Sequence, residues 1–167
     1  MSDLPEVTEL LREHKVTVPA VDVFRIIEEN NIKLVREEMD DTDSGFLLIQ
    51  GGNSTIALNA SHHPNRQRFT AAHECGHYFL HCKGAKDDKF FVDQTFQRNQ
   101  KAYAGTTQIE IQANRFAAEL LMPEMMVVGA VGDNSISDLD ISLLALRFEV
   151  SEQAMALRLV KLGLITP

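Results

Sequence analysis

The sequence predicts an α+β fold: a small antiparallel or mixed sheet packed on helices that precede and follow it. Three observations carry this. Apolar residues recur at helical spacing in "VPAVDVFRIIEENN" and again in "QIEIQANRFAAELLMP". Two apolar runs flank the glycines of "QGGNS" inside "FLLIQGGNSTIALN", the pattern of a β-hairpin. The tail "SDLDISLLALRFEVSEQAMALRLVKLGL" adds two more amphipathic helices.

Taken in order, "LPEVTELLREHK" is a short helix with Pro5 near its start. The second helix places Val23, Ile26 and Ile27 on one face and closes at Asn30-Asn31. "IKLVREE" follows as a strand, and "DDTDSG" as a polar turn. The carboxylates of that turn lack the longer ligand ladder and closing glutamate of an EF-hand, so a solvated loop is expected there. After the hairpin, "SHHPNRQ" leads into a helix around "FTAAHECGHYFLH". The polar segment from Lys83 to Thr107 is too long for a structureless loop. It contains the extended-looking "KFFVDQTF". A strong helix over "QIEIQANRFAAELLMP" is stopped by Pro123, and the last two helices join near Glu149–Ser151. A chain of 167 residues fits one domain. Within it the expected division is a core over 1–125, with the N-terminal helices, and a helical subdomain over 126–167.

The formal net charge of -8 disfavours direct nucleic-acid binding and favours a basic partner. Two cysteines, Cys75 and Cys82, make a disulfide framework a poor reading and a reducing compartment a better one. The acidic, amphipathic N-terminus has no signal-peptide pattern, and no apolar run approaches the ~18 residues of a membrane span. The expected location is the cytoplasm, without membrane attachment. Oligomeric state is left open.

"FTAAHECGHYFLH" holds three histidines and a glutamate in an otherwise apolar helix. At ~100° and ~1.5 Å per residue, His77 lies ~40° round and ~6 Å along from His73. Both imidazoles can therefore reach one ion. Glu74 falls on the same side, where a carboxylate can take the proton of a water acidified by Zn²⁺ and pass it to a leaving amine. The alternative is a helix whose polar face merely carries histidines. His81 is ~12 Å along from His73 and fits a helix-end residue better than a ligand to the same ion. No histidine stands where a metzincin needs its third, because position 83 is Lys83. Cys75 and Cys82 point away, as small core residues do. Glu110 is the best third candidate, with Asn114 one turn on as a hydrogen-bond partner for a ligating imidazole. Ala113 and Ala117 would let the two helices approach. A solvent-exposed glutamate in a first helical turn is the competing reading of Glu110.

The pair "RFTAAHECGHYFLH" and "EIQANRFAAELLMP" resembles the ImmA/IrrE family of bacterial and phage metallo-endopeptidases. The likeness extends more loosely to "VPAVDVFRIIEENNIKLV", to "IALN" and to "LALRFEVSEQAMALRLVKLGLI". The one departure is Gln112, where glutamate is also common. The resemblance implies a gluzincin-like minimal metalloprotease core, with His73, His77 and Glu110 as ligands to zinc (or manganese in the cell) and Glu74 as general base. It also implies a protein substrate, a DNA-binding helix-turn-helix repressor that silences a mobile element or stress regulon. The strand around Ser54, Thr55, Ile56 and Ala57 would lie beside the cleft as an edge strand that pairs with substrate, or else be an ordinary sheet strand. His62, His63 and Tyr103 are candidates for stabilising the oxyanion, each also readable as a surface residue. Two other functions compete. One is a DNA-binding helix-turn-helix module in the tail, where basic residues are few. The other is a metal-binding regulatory or toxin–antitoxin-type partner with little protease activity.

Overall fold

The computed structural model of the protein describes residues 3–85, 87–94, 103–132 and 136–166, with the side chains of 93–94 and 103–107 excepted. Among them are seven helices and a four-stranded mixed sheet, the α+β class expected. The chain divides into two units, one of residues 23–117 and the other of residues 1–22 and 118–167.

The first of these units holds the sheet. Helix α2 (Val23–Glu29) buries Val23, Ile26 and Ile27, the stripe read from its spacing. Asn31 ends it with a positive φ of 58°, and the Asn30 amide donates to the Ile26 carbonyl at 2.9 Å. Strands β1 (Ile32–Glu37), β2 (Asp43–Gln50) and β3 (Asn53–Asn59) follow. Gly51 and Gly52 form the two-residue hairpin turn with φ of 56° and 80°, a conformation that glycine adopts without a steric penalty. The turn between β1 and β2 is organised by buried Asn59, whose amide lies 2.9–3.3 Å from the carbonyls of Met39, Asp40 and Asp43. No calcium-type ligand set forms there among the described residues.

"KFFVDQ" is strand β4 (Lys89–Gln94), and it adds antiparallel to β2. The sheet order is β1-β3-β2-β4, with β1 parallel to β3. This corrects the expectation for Ser54, Thr55, Ile56 and Ala57. Each pairs with β1 on one side and β2 on the other, from Ile32↔Ser54 to Phe46↔Ala57, so their backbone groups are used within the sheet. The edges are β1 and β4. Register places Leu34, Ile56, Leu47 and Phe91 in one row on one sheet face. Helix α3 (Pro64–His77) lies against the sheet, and Gly45 is why it can come so close. A Cβ at Gly45 would stand 2.5 Å from the Ala57 carbonyl oxygen and 2.7 Å from Thr70 Cγ2. Helix α4 (Tyr103–Leu121) starts five residues before the "QIEIQ" boundary, because propagation of a strong helix tolerates the weak formers Gly105, Thr106 and Thr107.

The other unit contains α1 (Pro5–Glu13), the end of α4, α5 (Glu124–Val131), α6 (Asp138–Phe148) and α7 (Glu152–Lys161). The short helix α5, not expected from the sequence, begins directly at Pro123. Ser137 and Asp140 form a capping box at α6, and Glu149 ends that helix in the left-handed conformation, as the junction near Glu149–Ser151 anticipated. Arg158 of α7 is buried. It bonds the Met122 carbonyl at 2.9 Å and pairs with Asp3, while Glu119 accepts from the Leu4 amide at 2.7 Å.

Candidate metal centre

Helix α3 is capped by His63, whose Nδ1 accepts from the Asn65 amide at 3.2 Å, with Pro64 at the first helical position. That gives His63 a structural task at the far end of the helix from His73, ~15 Å away by helical rise. His62 is likewise engaged near the turn, with Nε2 3.3 Å from the Asp41 carbonyl. By that rise His63 is not placed to meet an oxyanion near His77. The side chain of Tyr103 lies outside the described residues.

The last turns of α3 bury His73, Glu74 and His77, at 2%, 0% and 1% exposure. The two imidazole Nε2 atoms are 3.0 Å apart. Glu110 reaches both from α4, with Oε2 3.1 Å from His73 Nε2 and Oε1 3.3 Å from His77 Nε2. Donors bonded at ~2.0–2.1 Å to one tetrahedral ion stand ~3.3–3.4 Å apart. The three separations lie at or within a few tenths of an ångström below that spacing, so these residues fit a divalent metal and leave a fourth position. Among the described residues this is the one converging group of His, Cys, Asp and Glu ligand atoms.

The carboxylate is suited to the task. Burial pushes the Glu110 carboxyl up, but hydrogen bonds from His73 and His77 outweigh it and bring it down to about 2. Glu110 is 36% exposed at its side chain against 2% for each imidazole, so the site opens on the Glu110 side. It lies two turns into α4, not in the first turn, which removes the helix-end explanation for a glutamate here.

Each imidazole is oriented differently. His73 Nδ1 is 3.1 Å from Asn114 Oδ1, an acceptor, so the ring can donate from Nδ1 and would present the Nε2 lone pair to a bound metal. His77 stacks on Phe91 of β4, centroids 4.6 Å apart at 22°, and its Nδ1 is buried with no hydrogen-bond partner among the described residues. Phe91 was not foreseen; its signal was the apolar run in "KFFV", which read as extended without saying where it docks. Replacing Asn114 by Ala is expected to weaken metal binding by about 10–100-fold, as measured by competition with a chelator, because the His73 ring loses the Asn114 acceptor that orients it.

Gly76 brings α3 and α4 together. A Cβ there would lie 2.9 Å from Ala113 Cα and 3.2 Å from Phe116 Cβ, so the small residues expected on α4 meet a glycine on α3. Phe79 stacks on Phe116 just beyond it, with centroids 6.1 Å apart. Cys75 and Cys82 are free and buried. Burial, then the charge of Glu74, pushes the Cys75 thiol far up, and neither cysteine belongs to the converging ligand group among the described residues.

A donor set that fits a divalent metal, carried by two close helices beside a small mixed sheet, is a hydrolase-like arrangement. The family model Peptidase_M78, described as the IrrE N-terminal-like domain, matches residues 27–160. The chain belongs to this family, and is therefore a peptidase. It is also similar to a Bacillus phage phi105 protein named "Uncharacterized immunity region protein 2", at 24% identity over 121 residues, 72% of this chain and 68% of the relative. Among the described residues no helix is long and apolar enough to cross a membrane.

Proposed function

We propose that this chain is a zinc-dependent endopeptidase of gluzincin-like core that cleaves a helix-turn-helix repressor in the control of a phage or other mobile element. The observation that supports this most is the meeting of His73, His77 and Glu110 within 4.8 Å of one another, with Glu74 on the same helix. When bound, zinc would polarise the scissile carbonyl and acidify the attacking water. Glu74 takes the proton of that water and delivers it to the leaving amine. Asn114 holds the His73 ring, and the Phe91 ring holds that of His77. Of the two edge strands, β4 carries the Phe91 ring that stacks on His77, so an extended substrate segment is proposed to align along β4 rather than β3.

The name of the phage relative supports a role in immunity control. The net charge of -8 favours a basic, DNA-binding target over DNA itself. Burial of Arg158 in the second helix of the tail removes one of the few cations a recognition helix there would need. The test is co-expression with the repressor encoded beside its gene, together with metal analysis of the purified chain. One equivalent of zinc and chelator-sensitive repressor fragments are expected. A chain that binds its repressor and zinc but never cuts would instead be a regulatory partner.

A further inference from the structure

We propose that Phe90 and Val92 of β4 determine specificity, selecting a substrate segment with apolar side chains at two positions two residues apart; this rests on the reading of β4 as the strand along which substrate aligns. Successive side chains of a strand point to opposite faces of the sheet. Phe91 takes the face of α3, where its ring stacks on His77. Phe90 and Val92 therefore take the other face. Register sets Phe90 opposite Leu48 and Val92 opposite Phe46. The rings of Phe46 and Phe90 lie 5.4 Å apart between centroids, which joins the two strands into one apolar surface.

Phe90 is 61% exposed and Val92 38%. One exposed apolar side chain is ordinary, but two on the same face of an edge strand are not, because edges are usually guarded by charge. The lysine of β4, Lys89, shares the parity of Phe91 and gives its Nζ to the His81 carbonyl at 3.1 Å, so it does not guard them. A peptide that extends the sheet beyond β4 continues the alternation. Its residue beside Phe91 turns to the side of His77, and the two neighbours of that residue turn to the other face, beside Phe90 and Val92. There Val, Ile, Leu or Phe covers apolar surface that water otherwise wets, and a charged side chain does not. Backbone pairing holds any extended segment, and this pair of side chains chooses among them.

The test digests peptides from a trypsin-treated, denatured proteome with the zinc-loaded chain and reads the residues around each cut by mass spectrometry. Apolar residues should be enriched about 3–10-fold at two positions two apart. Phe90→Lys should erase the enrichment at one of these positions and favour Asp or Glu there, and Val92→Lys should do the same at the other. The peptide cut fastest, labelled and added to Glu74→Gln, should bind about 3–10-fold more weakly once F90K is added. Residues that only pack on Phe46 and Leu48 would lower the melting temperature in both variants and leave the cleavage profile and peptide binding unchanged, which overturns the proposal. A parent profile without that spacing also overturns it. If F90K does not fold, Phe90→Thr replaces it, with loss of the enrichment as the criterion. A zinc-loaded parent that cuts none of the peptides refutes the endopeptidase reading itself, and this selection with it.

Discussion

Replacing Glu74 by Gln is expected to cut peptide hydrolysis by about 10²–10⁴-fold while metal content stays at the parental level. The substitution is close to isosteric, which matters for a side chain with 0% exposure. It preserves packing and removes the one property the chemistry needs, a carboxylate able to accept a proton. The ligand atoms come from His73, His77 and Glu110, so the metal has no reason to leave. The measurement is single-turnover cleavage of a peptide or repressor substrate, paired with metal analysis of the same sample. Parental cleavage by the variant would remove Glu74 as the base. Loss of metal along with activity would give it a role in building the site.

Gly76→Ala should damage the centre without touching a ligand. The added methyl would sit 2.9 Å from Ala113 Cα and 3.1 Å from its carbonyl oxygen, both backbone atoms that cannot rotate away. The helices must separate, at a cost of about 1–3 kcal/mol for overpacking. Alanine's better helix propensity returns at most ~1 kcal/mol. The larger effect falls on the metal. Glu110 and Ala113 share one helix, so moving Ala113 carries the carboxylate away from imidazoles that must hold bonds of ~2.0–2.1 Å. Zinc affinity at least tenfold weaker is expected from chelator competition, beside a modest loss of stability in denaturant titration. Unchanged affinity would show that Glu110 follows His73 and His77 despite the shift.

Local periodicity made much of this legible. His73 and His77 share a face because helical geometry requires it, and Glu110 and Asn114 repeat the relation on the partner helix. The hairpin was visible in Gly51-Gly52, whose positive φ values suit few other residues. The sequence was silent on pairings between distant segments. "KFFVDQ" reads as extended, but nothing within it says that it adds to β2. β3 was consequently taken for a possible edge when it is internal. The π-helical turn at Tyr78–Cys82 was equally hidden, since "YFLHC" fits an ordinary helix by composition. Ala113 was expected to allow close approach; that Gly76 is its counterpart required coordinates.

The one-sided opening at Glu110 has a consequence for what such an enzyme can attack. With both imidazoles at 2% exposure and Glu110 at 36%, a polypeptide would meet the ligands from the Glu110 side, and a thin, extended stretch would reach them most easily. A tightly folded target offers such a stretch only when it frays. The target's own rate of local fraying, and whatever hastens it, would then decide when it is destroyed.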